Sequence, residues 1–151
     1  MSKTTSILLI LCLLSASCSM NTSKKTCEAL VKIGTTSIKV AVARTPDEKS
    51  DGLSGRVGES MLFDFRNDTE RRPSFWMKDM LYNLDAAWIA NGKIVKLEKN
   101  IPKPATPDEE PVHFYPPDMD IDYVLEVPAG DAHELGLNTF KDVTVTFENC
   151  E

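Results

Sequence analysis

The chain is short of the residues that most enzymes build their chemistry on. Its 151 residues include four cysteines and two histidines. His113 and His133 stand far apart in the sequence, each without a second ligand beside it. A transition metal needs convergent ligands, so no metal site is expected. There is no Cys-x-x-Cys, which removes the dithiol redox motif. Nucleophile-elbow, phosphate-loop, dinucleotide and zinc-protease motifs are missing too, so no cofactor is expected. Asp118, Asp120 and Asp122 resemble half a calcium loop, but the mid-loop Gly and terminal Glu are absent; a solvated acidic loop is the expectation. Positive charge is also scarce. Lys and Arg number 17 against 23 Asp and Glu, for a net charge of −6, which argues against nucleic acid and against charge-driven binding to anionic lipid. No apolar run reaches the ~20 residues of a membrane-spanning helix.

The longest apolar run, Ile7 to Leu14, sits near the N-terminus, after Lys3 and before the small residues Ser15-Ala16-Ser17. That order is the pattern of a secretory signal. Cys18 follows at once and resembles the lipidated cysteine of a bacterial lipobox, although Leu14 lies one position further out than the usual Leu. The expected organisation is a signal peptide over residues 1–17, a lipidated N-terminus and polar tether over 18–26, and one domain over 27–151. The protein would then be exported and held to the cell envelope by its acyl chains, each buried methylene contributing ~0.8 kcal/mol. Ordinary cleavage near Cys18, giving a secreted protein, is the alternative.

Cys27 and Cys150 remain for the folded domain, almost at its two ends. In an oxidising compartment such a pair is expected to form a disulfide.

Between them the pattern is one of short strands. Thr36 to Ala43 alternates, with Ile38, Val40 and Val42 on one face. Thr45, Pro46 and Glu48 spell a capping box and a first helical turn, and Gly52 is placed to end a short helix. Met61 to Phe65, Phe75 to Met80, Leu84 to Ala90, Ile94 to Glu98, Tyr123 to Pro128 and Val143 to Phe147 read as further strands. Asn91-Gly92 between two apolar runs predicts a type I′ hairpin. Asp131 to Leu137 has room for a helical turn. Ile101 to Pro117 carries Pro102, Pro104, Pro107, Pro111, Pro116 and Pro117. Proline lacks the amide donor, so a long irregular segment is expected there, of the kind that often carries function. The fold class is all-β, a sandwich or barrel with one short helix.

The blocks Thr45 through Gly52-Leu53 with Arg56, Met61-Leu62-Phe63, Phe75-Trp76-Met77-Lys78, Leu84-Asp85 and Tyr123 through Gly130 resemble the bacterial and archaeal domain of unknown function 192. The resemblance spans about Ile38 to Val145. It implies a compact, jelly-roll-like β domain, often exported, with no established activity, cofactor or catalytic set. This chain departs from the pattern at Ser54, Ser60, Asp79-Met80 and Tyr82-Asn83.

The candidate binding residues are Arg56, Trp76, Lys78, Asp85 and Glu126. Strand alternation puts Phe75 and Met77 on one face and Trp76 and Lys78 on the other. A buried Asp85 needs a partner, and Lys78 or Arg56 is expected to supply it as an ion pair. The tryptophans read first as core and second as a platform for sugar rings. Phe75–Lys78 and Leu84–Ile89 are expected to be the central pair of strands. The function expected is a non-enzymatic envelope module that binds a polysaccharide or another envelope protein. A hydrolase using Arg56, Lys78, Asp85 and Glu126 is the alternative, and docking of a partner by the proline segment a third possibility.

Overall fold

The computed structural model describes residues 26–150. The expected signal peptide, Cys18 and nearly all of the expected tether lie outside the described residues.

Nine strands and two short helices follow one another in the order β1 (Glu28–Ile33), β2 (Thr36–Ala43), α1 (Pro46–Asp51), β3 (Met61–Asp64), β4 (Phe75–Trp76), β5 (Leu84–Ala90), β6 (Lys93–Ile101), β7 (His113–Phe114), β8 (Tyr123–Pro128), α2 (Asp131–Glu134) and β9 (Val143–Glu148). Seven strands form one sheet, in the order β6-β5-β8-β3-β2-β1-β9. Every neighbouring pair is antiparallel except β2 and β3, which α1 connects as parallel neighbours. The all-β expectation holds, as a strongly curled sheet.

Local sequence explains the corners. Thr45 Oγ1 accepts from the Glu48 amide while the Glu48 carboxylate accepts from the Thr45 amide, the reciprocal cap that starts α1. Asn91 and Gly92 both take positive φ, 51° and 70°, and turn β5 into β6. The curl brings the start of β6 to the approach of β9, where Lys93 bridges Asp142 and the Val143 amide donates to the Gly92 carbonyl over 2.8 Å. One end of the sheet is therefore nearly closed into a barrel. Cys27 and Cys150 join as expected, Cα atoms 4.5 Å apart, tying the start of β1 to the end of β9 across 123 residues. A loop of that length is worth about 4–5 kcal/mol in the chain-entropy account.

The sheet carries a core on each face. Inside the curl lie Val31, Val40, Leu62, Ala87, Ile89, Leu125 and Val127. The outer face of β3, β5 and β8 presents Phe63, Ala86, Trp88 and Val124, and is covered by Leu53, Met77, Met80, Phe114 and Ile121. This double burial makes β5 buried at all seven positions, and a strand covered on both faces reads as a continuous apolar run.

One expectation is corrected. Phe75–Met80 is not a strand of the main sheet and does not pair with β5. Only Phe75–Trp76 is extended, and it pairs with His113–Phe114 in a separate two-stranded sheet. The partner of β5 besides β6 is β8. The small sheet lies over the second core, with Phe75 stacked on Phe114 at 5.4 Å and meeting Phe63 and Phe65 edge-on. The helical turn expected within Asp131–Leu137 forms over Asp131–Glu134.

Candidate binding cleft

The alternation expected across Phe75–Lys78 survives even though the strand is short. Phe75 and Met77 face the core, with Met77 fully buried, while Trp76 is 47% exposed. The ladder ends where the Met77 amide donates to the Val112 carbonyl over 2.9 Å, and the chain then turns. That turn is fastened to the neighbouring loop. Ser54 Oγ donates to the Lys78 carbonyl at 2.9 Å, and the Gly55 amide donates to the Asp79 carbonyl at 2.9 Å. Asp79 sits at φ 56°, a left-handed conformation that Asp and Asn tolerate because a short polar side chain can bond locally.

Trp76 is thus an exposed aromatic on a pinned backbone. The Lys78 ammonium stands 5.3 Å from its ring centroid, and the His113 ring meets it edge-on at 6.2 Å. Across from this edge runs the proline segment. Between the two lies a cleft of about 620 Å³, walled by Trp76, Lys78 and Leu81 on one side and by Lys103, Pro104 and Pro107 on the other. The proline wall has its own fastenings. The Lys103 amide donates to Asn83 Oδ1 at 3.1 Å, and Glu109 accepts from the Ala105 amide at 2.5 Å. Neither Lys78 nor Lys103 has a carboxylate partner among the described residues.

The other candidates are elsewhere. Asp85, 2% exposed, points into the curl. Its carboxylate accepts from the Asn100 amide (2.8 Å), the Gly130 amide (2.9 Å) and the Ala132 amide (3.2 Å). The expected ion pair with Lys78 or Arg56 does not form, because three backbone donors already satisfy the charge; through two of them, Gly130 and Ala132, the carboxylate caps the start of α2. Glu126 pairs across the sheet with Ala86, whereas Asp85 pairs with Val127. Adjacent residues on a strand face opposite sides, so the two carboxylates lie on opposite faces of the sheet and cannot flank one bond. Glu126 lies in the outer core between Met61 and Ala86, 4% exposed, with no hydrogen bond or ion pair among the described residues. Burial pushes its carboxyl up to about 8.

Arg56 is exposed and paired to Glu59, three residues on, at 2.9 Å. It borders a different hollow, of about 740 Å³, near Arg44 and Asp64. Polar groups around that hollow are largely matched already. Arg66 clasps Asp64 with two bonds of 3.0 and 2.9 Å, and Lys49 reaches Asp68 at 2.6 Å. Burial would raise the Asp64 carboxyl, but the Arg66 guanidinium holds it below its ordinary value. Of the five candidates, then, the structure brings together Trp76 and Lys78; Arg56 lies on the loop fastened beside them but pairs its side chain with Glu59, and Asp85 and Glu126 are buried on opposite faces of the sheet. No group of three His, Cys, Asp or Glu among the described residues is placed to hold a metal, and no helix among them is long and apolar enough to cross a membrane.

The far wall, Lys103 to Pro111, was not among the candidate side chains. Its one signal in the sequence was proline density in a long segment.

Taken together these features define a small curled-sheet module with an aromatic-edged cleft between Trp76 and the proline segment. The chain belongs to the domain of unknown function 192 family, described as an uncharacterised ACR family, whose match covers residues 29–145. Two solved structures are similar. One, a protein of unknown function from Novosphingobium aromaticivorans, is 25% identical with a TM-score of 0.58, over 78% of this chain and 83% of that one. The other, from Sinorhizobium meliloti and described as a "putative transcription regulator", is 26% identical with a TM-score of 0.62, over 80% of this chain and 95% of that one. No curated protein matches.

Proposed function

We propose that this chain is an exported cell-envelope module, anchored through a lipidated Cys18, that binds a ligand in the cleft between Trp76–Leu81 and the proline wall. The observation that carries the reading is Trp76. A large aromatic is left half-exposed on a backbone fastened at Met77, Lys78 and Asp79, beside a concavity whose size lies in the range of ligand sites. Order on an exposed apolar side chain has an entropic cost, and binding is the use that offsets it. The acidic balance and the export pattern support a ligand outside the cytoplasm. Arg56, Lys78, Asp85 and Glu126 do not converge, so binding rather than hydrolysis is the reading their positions support.

Two measurements test it. Labelled palmitate should enter the wild-type protein and be absent from a Cys18→Ser variant; equal label in both sinks the anchor. Purified protein should co-sediment with isolated cell-envelope material, and Trp76→Ala should lose most of that retention. Full retention by the variant rejects the cleft.

A further inference from the structure

We infer that the ligand of the cleft is a saccharide, a chain whose ring faces stack on Trp76 and whose acceptor oxygens are taken by Lys78 and Lys103. This rests on the binding reading above and narrows it to a chemical class.

Three observations carry the inference. The first is the isolation of the aromatic. Trp76 is the one exposed tryptophan among the described residues, since Trp88 is fully buried. A protein partner seeks a contiguous apolar patch of several hundred Å². Around Trp76 the cleft is mixed. Leu81, Pro104, Pro107 and Pro111 supply apolar wall, and Lys78, Asp79, Lys103 and Glu109 set charges among them, so no contiguous patch of that size forms. A sugar ring has matching chemistry, with an apolar C–H face over the indole and hydroxyls at its rim.

The second observation is the state of the rim charges. Glu109 is already engaged by the Ala105 amide, whereas the Lys78 and Lys103 ammonium groups have no carboxylate partner among the described residues. Asp79 is exposed and its carboxylate has no partner among the described residues, so the rim offers two free donors and one free acceptor. That mixture suits sugar hydroxyls, which both donate and accept, and a bond to a charged group is the stronger one. Lys78, at 5.3 Å from the indole centroid, can lift from the ring face and remain within reach of a ligand lying there.

The third is rigidity. Both walls are held by backbone hydrogen bonds at Met77, Asp79 and Lys103, and prolines stiffen the far side. Stacking on a pre-fixed ring avoids the ordering cost that weakens flexible sites. A nucleobase could stack in the same way, but a net charge of −6 disfavours a polyphosphate chain.

The test is calorimetric titration of the mature protein with two probes, chitotetraose as a neutral N-acetylated oligomer and an oligogalacturonate as an acidic one, with Trp fluorescence recorded in parallel. At least one probe is expected to bind and to shift the emission of Trp76. Trp76→Ala should weaken binding about tenfold or more, the effect of losing one stacking partner, while Trp76→Tyr should restore most of it. Lys78→Met with Lys103→Met should weaken the oligogalacturonate more than the chitotetraose. Unchanged thermal melting of each variant separates lost contact from lost fold. If neither probe binds, the saccharide assignment is overturned. If envelope material is still retained in a Trp76-dependent manner in that case, the cleft reading survives without it. If Trp76→Ala alters neither probe nor envelope binding, both fall.

Discussion

The two tryptophans have similar neighbours in sequence and opposite fates in the fold. Phe75-Trp76-Met77 and Ala87-Trp88-Ile89 are both short apolar stretches on extended chain. Trp88 lies on β5, whose two faces are covered by two cores, so its ring is enclosed with Phe114 at 5.8 Å and Lys96 at 4.5 Å from its centroid. Its indole N–H has no partner among the described residues. Trp76 lies on β4, whose ladder partner among the described residues is β7, and its ring is covered only in part, by Lys78 at 5.3 Å and His113 at 6.2 Å, leaving it 47% exposed. A residue's burial depends on how many layers cover its strand. The two-layered region encloses its tryptophan, and the one-layered region leaves its tryptophan half-exposed.

The comparison can be broken or sharpened by substitution. The largest effect is expected for Trp88→Ala, about 3–5 kcal/mol of stability lost in urea denaturation, because a large core side chain is removed. Trp88→Phe should cost much less, since it keeps most of the volume and removes an unsatisfied donor. Asp85→Ala is expected to cost about 3–4 kcal/mol by the same measurement, as three amides lose a charged acceptor. Asp85→Asn should recover part of that. A loss below about 1 kcal/mol for Asp85→Ala would show that solvent reaches those amides.

Glu126 gives an effect of a few kcal/mol that depends on pH. Its carboxyl rises from 4.5 to about 8 in the folded protein because burial disfavours the charge. The folded state therefore holds the proton more tightly than the unfolded one. The stabilisation is complete below about pH 4.5 and is lost as pH rises through about 8. Glu126→Gln should remove this slope and melt higher than the wild type on the alkaline side; parallel pH profiles for the two proteins would refute it. The smallest effect on stability is expected for Trp76→Ala, within about 0.5 kcal/mol by thermal melting. A larger loss would move Trp76 from the binding surface into the packing.

Much of the fold was legible in the sequence because its signals are local. The alternation of Thr36–Ala43, the Thr45–Glu48 box and the Asn91-Gly92 turn act within a few residues, and each appears where its pattern lies. The site was legible in part. The opposite facing of Trp76 and Met77 follows from strand geometry alone, but the length of the strand did not, because a ladder ends where its partner ends and β7 offers only His113 and Phe114. The partner of Asp85 was not legible either. Charge alone suggested Lys78 or Arg56, yet the carboxylate is taken by amides at Asn100, Gly130 and Ala132, distant in sequence and brought together only by the β6-β5-β8 order of the sheet.

By itself, then, the sequence determined the all-β class, the corners, the family and the pairing of Cys27 with Cys150. Each follows from near-neighbour patterns, from blocks of residues, or from there being a single pair of cysteines to join in the domain. Only the tertiary structure decided which tryptophan is buried, that Asp85 and Glu126 face away from each other, and that the proline segment stands opposite Trp76 as a wall. Those outcomes depend on how many layers cover each strand and on which distant segments the curled sheet brings side by side, and no local pattern encodes either.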